Sequence, residues 1–175
     1  MDVIKKPFMA AISGVKNSGK TTFLEHLVLE LKSRGYCVAV IKHDGHEFEP
    51  DVVGTDTWKL RKAGAYGTAI FSQGQWMMVK QQSDVNEKNI ADFFPEADII
   101  LLEGFKYSSY PKFEIVRKGN SSVSVCDAKT LLGLITDTSL CIPGIKSLGL
   151  TDWVKAADIL LEQINRMPDT MKNQQ

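Results

Sequence analysis

The chain has 175 residues, 43% hydrophobic and 24% charged, which suits one globular domain with a sizeable core. Its 21 basic residues balance its 21 acidic ones, so no global charge points to nucleic acid or an anionic membrane as a partner. No stretch approaches the ~20 apolar residues of a membrane span, and the first residues lack the apolar run of a secretion signal. Cys37, Cys126 and Cys141 are odd in number, far apart and without C-x-x-C spacing. That pattern predicts a reduced, cytoplasmic protein.

The segment from Phe8 to Ser13 reads as a short buried strand. Gly14-Val15-Lys16-Asn17-Ser18-Gly19-Lys20-Thr21-Thr22 follows and satisfies every position of G-x-x-x-x-G-K-[ST]. Behind it, Phe23, Leu24, Leu27, Val28 and Leu31 recur at helical spacing, with a stop at Gly35. Strand, glycine-bounded loop and helix are the setting of a phosphate-binding P-loop. Gly14 and Gly19 permit backbone shapes and close approach that a side chain would block. Successive N–H groups then form an anion nest at the positive end of the helix. Lys20 is placed to neutralise β- and γ-phosphates, and the Thr21 hydroxyl to ligate Mg²⁺. A nucleoside triphosphate is the predicted ligand.

Cys37 to Lys42 is a second apolar run, predicted to lie in a parallel sheet covered on both faces. The polar loop from His43 to Asp51 offers His43, Asp44, His46 and Glu47 as transition-metal ligands. No cysteine joins that set, so a solvated acidic loop or switch segment is the preferred reading. A short helix is expected from Asp56 to Lys62. Asp44 and Asp56 are the candidates for ordering water and Mg²⁺ near the γ-phosphate. Arg61 is a candidate phosphate clamp, set against an exposed helical arginine. Gly67 to Ser72 and Trp76 to Gln81 predict a hairpin turning at Gln73-Gly74-Gln75, and Glu87 to Phe93 a modest helix.

Asp98-Ile99-Ile100-Leu101-Leu102-Glu103-Gly104 has the form of a Walker B strand. An acid at the carboxyl end of a parallel strand emerges beside the P-loop, so Glu103 is the second candidate Mg²⁺ ligand. Phe113 to Val116 and Ser122 to Cys126 are expected as an edge hairpin, with Lys112 and Arg117 as surface charges. Leu131 to Asp137 is another buried strand. Thr136 and Asp137 at its end are the best-placed residues for bonding a base edge, although such a pair more often caps a turn. A last helix starts at Thr151-Asp152, carries Trp153, Ala156, Ala157, Leu160 and Ile164 as its apolar stripe, and closes at Pro168. The expected architecture is one three-layer α/β P-loop NTPase domain over residues 1–167, mainly parallel with an antiparallel hairpin extension. Residues 168–175 are expected to be a frayed tail. The strands at 76–81 and 113–126 supply unpaired edge, which predicts a homodimer.

Four segments together resemble the molybdopterin-guanine dinucleotide biosynthesis adaptor protein B (MobB) family. They are the P-loop; Lys42-His43-Asp44 with Asp51, Gly54, Asp56, Thr57, Arg61 and Ala63-Gly64-Ala65; Leu102-Glu103-Gly104-Phe105-Lys106; and Pro111-Lys112-x-Glu114-x-x-Arg117. The resemblance implies a GTP-binding, Mg²⁺-dependent homodimer that assists the enzyme attaching GMP to molybdopterin. Molybdopterin itself is left open as a ligand, with Lys112 and Arg117 as candidate contacts to its phosphate. No Asn-Lys-x-Asp motif reads guanine, so the choice of GTP rests on the resemblance. No glutamine lies in the loop from His43 to Gly54, which predicts slow hydrolysis. A metal-delivery P-loop GTPase and a P-loop small-molecule kinase are the alternatives; no arginine-rich lid supports the kinase.

Overall fold

The computed structural model describes residues 6–45 and 47–166. His46, Pro168 and the expected tail lie outside them. In chain order the elements are β1 (Phe8–Gly14), α1 (Lys20–Ser33), β2 (Val38–Lys42), α2 (Asp56–Lys62), β3 (Gly67–Phe71), β4 (Trp76–Lys80) and α3 (Glu87–Ala91). They continue with β5 (Ile99–Glu103), β6 (Lys112–Val116), β7 (Leu131–Thr136), β8 (Ser147–Leu148) and α4 (Trp153–Arg166). The chain divides into two compact units, one comprising Met1–His43 and Glu87–Gln175, the other Asp44–Asn86.

The larger unit is a six-stranded parallel sheet in the order β2-β5-β1-β6-β7-β8. All seven residues of β1 and all five of β5 are buried, as their unbroken apolar runs require of central parallel strands. Alternate residues serve the two faces. Ala10, Ile12, Leu101, Phe113 and Ile115 pack against Phe23, Leu24, Leu27 and Leu31 of α1 and Ala156, Ala157 and Leu160 of α4. Met9, Ala11, Ile100 and Leu102 form the opposite core, with Ile90 and Ala91 of α3 packed against it. Each fully buried Leu or Ile contributes about 1.5–3 kcal/mol relative to an exposed one. Three layers, a mainly parallel sheet and an antiparallel pair are therefore present as expected. In the smaller unit, the two-stranded β3–β4 sheet pairs Gly67 with Lys80 through Phe71 with Trp76. Thr55 caps α2 there, its hydroxyl accepting the Trp58 N–H at 3.4 Å.

Three expectations are corrected. Ser122 to Cys126 is not a strand, and β6 is no edge: β1 and β7 occupy its two sides. The 122–126 segment thus has no strand to pair with. Its polar groups instead serve Glu114 on β6, whose carboxylate accepts the Val125 N–H at 2.6 Å and the Ser124 hydroxyl. Lys112 is accordingly no surface charge but a fully buried residue of a central strand. Finally, β2 is one of the sheet's two outer strands, with Val40 43% exposed, and Cys37 is exposed just before it. β8, only two residues long, is an addition.

Candidate nucleotide site

The β1–α1 turn has the geometry of a phosphate cradle. Gly14 has φ 142° and Gly19 φ 92°, values that L side chains rarely adopt. A Cβ on Gly14 would stand 2.6 Å from the Ile115 carbonyl oxygen and 2.8 Å from Ser18 Oγ. Ser18 is buried, and its hydroxyl has no partner among the described residues. Gly19 caps α1 without any side-chain bond, and the helix's first turn holds no acidic residue. The N–H groups at that end are therefore left for an anion. Asn17 also takes a left-handed backbone, φ 61°, which bends the loop around the same space. Val15 and Lys16 complete the turn, Lys16 exposed.

Lys20 folds back over this loop, its ammonium donating to the Val15 carbonyl at 2.7 Å and reaching the Gly14 carbonyl at 3.5 Å. Burial pulls its pKa below 10.5; Glu103 opposes that pull, while Lys106 and Lys42 add to it. Three ammonium groups thus bear on one small region.

The Thr21 hydroxyl donates to Glu103, 3.0 Å from Oε1 and 3.2 Å from Oε2. Glu103 is buried, and Lys42 Nζ lies 3.7 Å from its Oε1. Both side chains reach one point because Ile12 on β1 is in register with Glu103, and Lys42 on β2 pairs with Glu103 from the other side. A hydroxyl and a carboxylate already in contact are hard oxygen donors of the kind Mg²⁺ takes. Together with the unpartnered Ser18 hydroxyl and the Cβ-excluding turn, they fit a triphosphate with its divalent cation. Thr22, next on α1, is exposed.

On the far side of β1 the residues after β6 close against the P-loop. Asn120 donates from Nδ2 to the Lys16 carbonyl at 3.0 Å. Asp137 accepts the Lys118 N–H at 2.6 Å, and Thr136 Oγ1 accepts the Thr138 N–H at 3.0 Å. Thr136 thus bonds within its own turn, while Asp137 ties the end of β7 to the residues that follow β6. Arg61, Asp56 and Asp44 belong to the smaller unit. Arg61 is ion-paired to Glu49, and the Asp56 carboxylate is open to solvent with Lys59 at 3.4 Å. His43 sits edge-on to Phe105 with ring centres 5.7 Å apart. Among the described residues, no three His, Cys, Asp or Glu side chains come together as a metal-binding group.

Lys42, Lys106 and the structural role of Lys112 are missing from the residue reading above. A signal for Lys42 exists: two parallel strands, Val38–Lys42 and Ile99–Glu103, end in opposite charges at the same register. Lys112 donates to the carbonyls of Ser108 at 2.6 Å, Phe105 at 3.0 Å and Lys106 at 3.3 Å. It thereby pins the loop that follows Glu103, in which Phe105 holds φ 49°.

The sequence model of the family described as "Molybdopterin guanine dinucleotide synthesis protein B" (MobB) matches residues 9–137. The chain belongs to the MobB family. A molybdopterin-guanine dinucleotide biosynthesis adapter protein of Escherichia coli is 34% identical over 116 residues, 63% of this chain and 66% of that protein. The Haemophilus influenzae protein of the same description is 34% identical over 113 residues, 63% of this chain and 64% of its own length. The matched stretch thus spans just under two thirds of these relatives. The crystal structure of Bacillus subtilis MobB superposes with a TM-score of 0.70 at 28% identity, over 89% of this chain and 96% of that one. A MobB homologue from Bacillus stearothermophilus shares the fold at 19% identity, TM-score 0.64, over 91% and 99% of the two chains. No helix among the described residues is long and apolar enough to cross a membrane.

Proposed function

We propose that this MobB-family chain is a GTP- and Mg²⁺-binding adaptor in molybdopterin guanine dinucleotide biosynthesis, assisting the enzyme that attaches GMP to molybdopterin. The observation that carries the nucleotide reading is the Thr21–Glu103 hydrogen bond at the mouth of an uncapped P-loop. The adapter descriptions of the relatives support the pathway.

Each residue has a chemical task in this reading. The turn from Gly14 to Gly19 and the first N–H groups of α1 bind phosphate oxygens. Lys20 exchanges its bonds to the Val15 and Gly14 carbonyls for charged phosphate oxygens, a stronger pairing. Thr21 and Glu103 would hold the Mg²⁺, which when bound neutralises charge on the β- and γ-phosphates. With Glu103 holding the cation, Lys42, whose ammonium lies 3.7 Å from that carboxylate, would be available to pair with phosphate oxygens. These residues stabilise the ground state. No glutamine lies in the loop from His43 to Gly54, and Asp44 and Asp56 remain weak candidates for positioning an attacking water, so slow hydrolysis is expected.

We also propose a homodimer. Among the described residues no third strand joins the β3–β4 pair, which exposes Ile70, Phe71 and Trp76, with Phe71 85% exposed. An apolar two-stranded sheet of this kind is marginal alone and gains from pairing with another copy. Single-turnover GTP hydrolysis, with and without the GMP-attaching enzyme, tests the adaptor role. Slow hydrolysis by the isolated chain, with nucleotide handling altered by the enzyme, supports it. Fast hydrolysis indifferent to the enzyme would refute it.

A further inference from the structure

We propose that Arg117 is a nucleotide-binding residue that clamps the α-phosphate across Gly19. The inference rests on the nucleotide reading above and adds to it a residue on the opposite side of β1 from Glu103.

A Cβ placed on Gly19 would lie 3.6 Å from Arg117 Nη1, so the guanidinium stands over the bare Cα face of the P-loop's last glycine. Arg117 is exposed, and its guanidinium makes no hydrogen bond or ion pair among the described residues. A fork of five donors held at the rim of an anion nest, without a carboxylate of its own, is suited to phosphate oxygens.

The backbone carrying Arg117 is built against the loop. Its carbonyl accepts the N–H groups of Asn120 and Ser121, both at 3.0 Å, closing a tight turn in which Gly119 has φ 76°. Asn120 ties that turn to the Lys16 carbonyl, and Asp137 ties the Lys118 N–H to the end of β7. The segment is thus anchored to both the P-loop and the next strand.

Topology assigns the phosphate. β1 has β5 on one side and β6 on the other, and the carboxyl ends of such strands bound the ligand crevice. Glu103, Thr21 and Lys42 gather on the β5 side, where the cation and terminal phosphates belong. A nucleotide lying in the cradle must leave it toward β6, so the phosphate nearest the ribose passes Gly19 and Arg117.

The test is calorimetric titration of the full chain with GTP, GDP and ADP, with and without Mg²⁺, comparing parent, Arg117→Gln and Arg117→Lys. Loss of one charge-assisted contact predicts that Arg117→Gln weakens GTP and GDP equally, by about tenfold or more. The Mg²⁺ dependence, the GTP-to-GDP ratio and the GDP-to-ADP ratio should stay at the parent's values. A merely structural role would distort the loop and move the first two. Arg117→Lys should recover part of the loss and confirms that charge matters. Unchanged affinity in Arg117→Gln would overturn the assignment while leaving the nucleotide site intact. A loss confined to one base would overturn it in favour of stacking on the base. A parent that binds none of the three would refute the nucleotide reading, and this inference with it.

Discussion

Replacing Lys112 by methionine is a sharp probe of how the loop after Glu103 is held. The side chain is fully buried, and its ammonium bonds to three carbonyls, at 2.6, 3.0 and 3.3 Å, and to Ser108 Oγ at 3.2 Å. Hydrogen bonds to a charged group contribute about 1.5–3 kcal/mol each, and the two short ones dominate. Against them stands the cost of burying the ammonium, which pulls the Lys112 pKa below 10.5 despite the nearby acidic groups. Lys112→Met fills the same space, removes that cost and leaves the carbonyls without a donor. The balance is a loss of roughly 2–4 kcal/mol. For a chain of this size that lowers the melting temperature by roughly 5–15 °C. The pH sign follows from linkage. Between Lys112's lowered folded value and 10.5 the unfolded chain holds the proton more tightly, so rising pH stabilises the parent through this group. The gap between parent and Lys112→Met should therefore widen with pH in that window. Thermal melts followed by circular dichroism at several pH values measure both effects. A variant that melts with the parent, or above it, would refute the view that Lys112 pins the Gly104–Ser108 loop.

Other outcomes follow from the same geometry. Gly14→Ala places a Cβ 2.6 Å from the Ile115 carbonyl at φ 142°, so it should abolish nucleotide affinity and cost about 2–4 kcal/mol in a denaturant titration. Retained affinity would mean the turn can relocate freely. A maleimide at pH 8 should label the exposed Cys37 and Cys141 readily. Cys126, its thiol pushed up to about 11 chiefly by burial, should lag by about two orders of magnitude, as mass spectrometry of the labelled peptides would record. Nucleotide affinity should decline before pH 10.5 as Lys20, lowered by burial, loses the proton that pairs with phosphate. Affinity flat to that pH would remove Lys20 from the contact.

The phosphate cradle and its strand-loop-helix setting were legible because both glycines and Lys20 are fixed by local chemistry, within nine consecutive residues. The place of Glu103 beside Thr21 was legible because an acid at the carboxyl end of a parallel strand emerges on the edge where the β1–α1 loop lies. What escaped depended on which strand sits beside which. Lys112 and Glu114 look like surface charges on any strand read alone. They become buried because β1 and β7 flank β6, and each is then satisfied by a neighbouring loop, Lys112 by the one before β6 and Glu114 by the segment after it. The run from Ser122 to Cys126 has β propensity, but its Val125 N–H and Ser124 hydroxyl are taken by Glu114. Arg117 reads as a surface charge or a contact to a pterin phosphate, not as a P-loop residue, since nothing local ties it to Gly19, almost a hundred residues earlier. β8 is too short to show any periodicity.

The most direct measurement of the central claim is GTP binding as a function of Mg²⁺, made on the parent, Lys20→Ala and Glu103→Gln. The account predicts that Mg²⁺ strengthens binding to the parent and that Lys20→Ala removes most binding in either condition. Glu103→Gln should bind Mg²⁺-free GTP as the parent does but gain little when Mg²⁺ is added. Magnesium titrations that overlay for parent and Glu103→Gln, or undiminished GTP affinity in a folded Lys20→Ala, would contradict it.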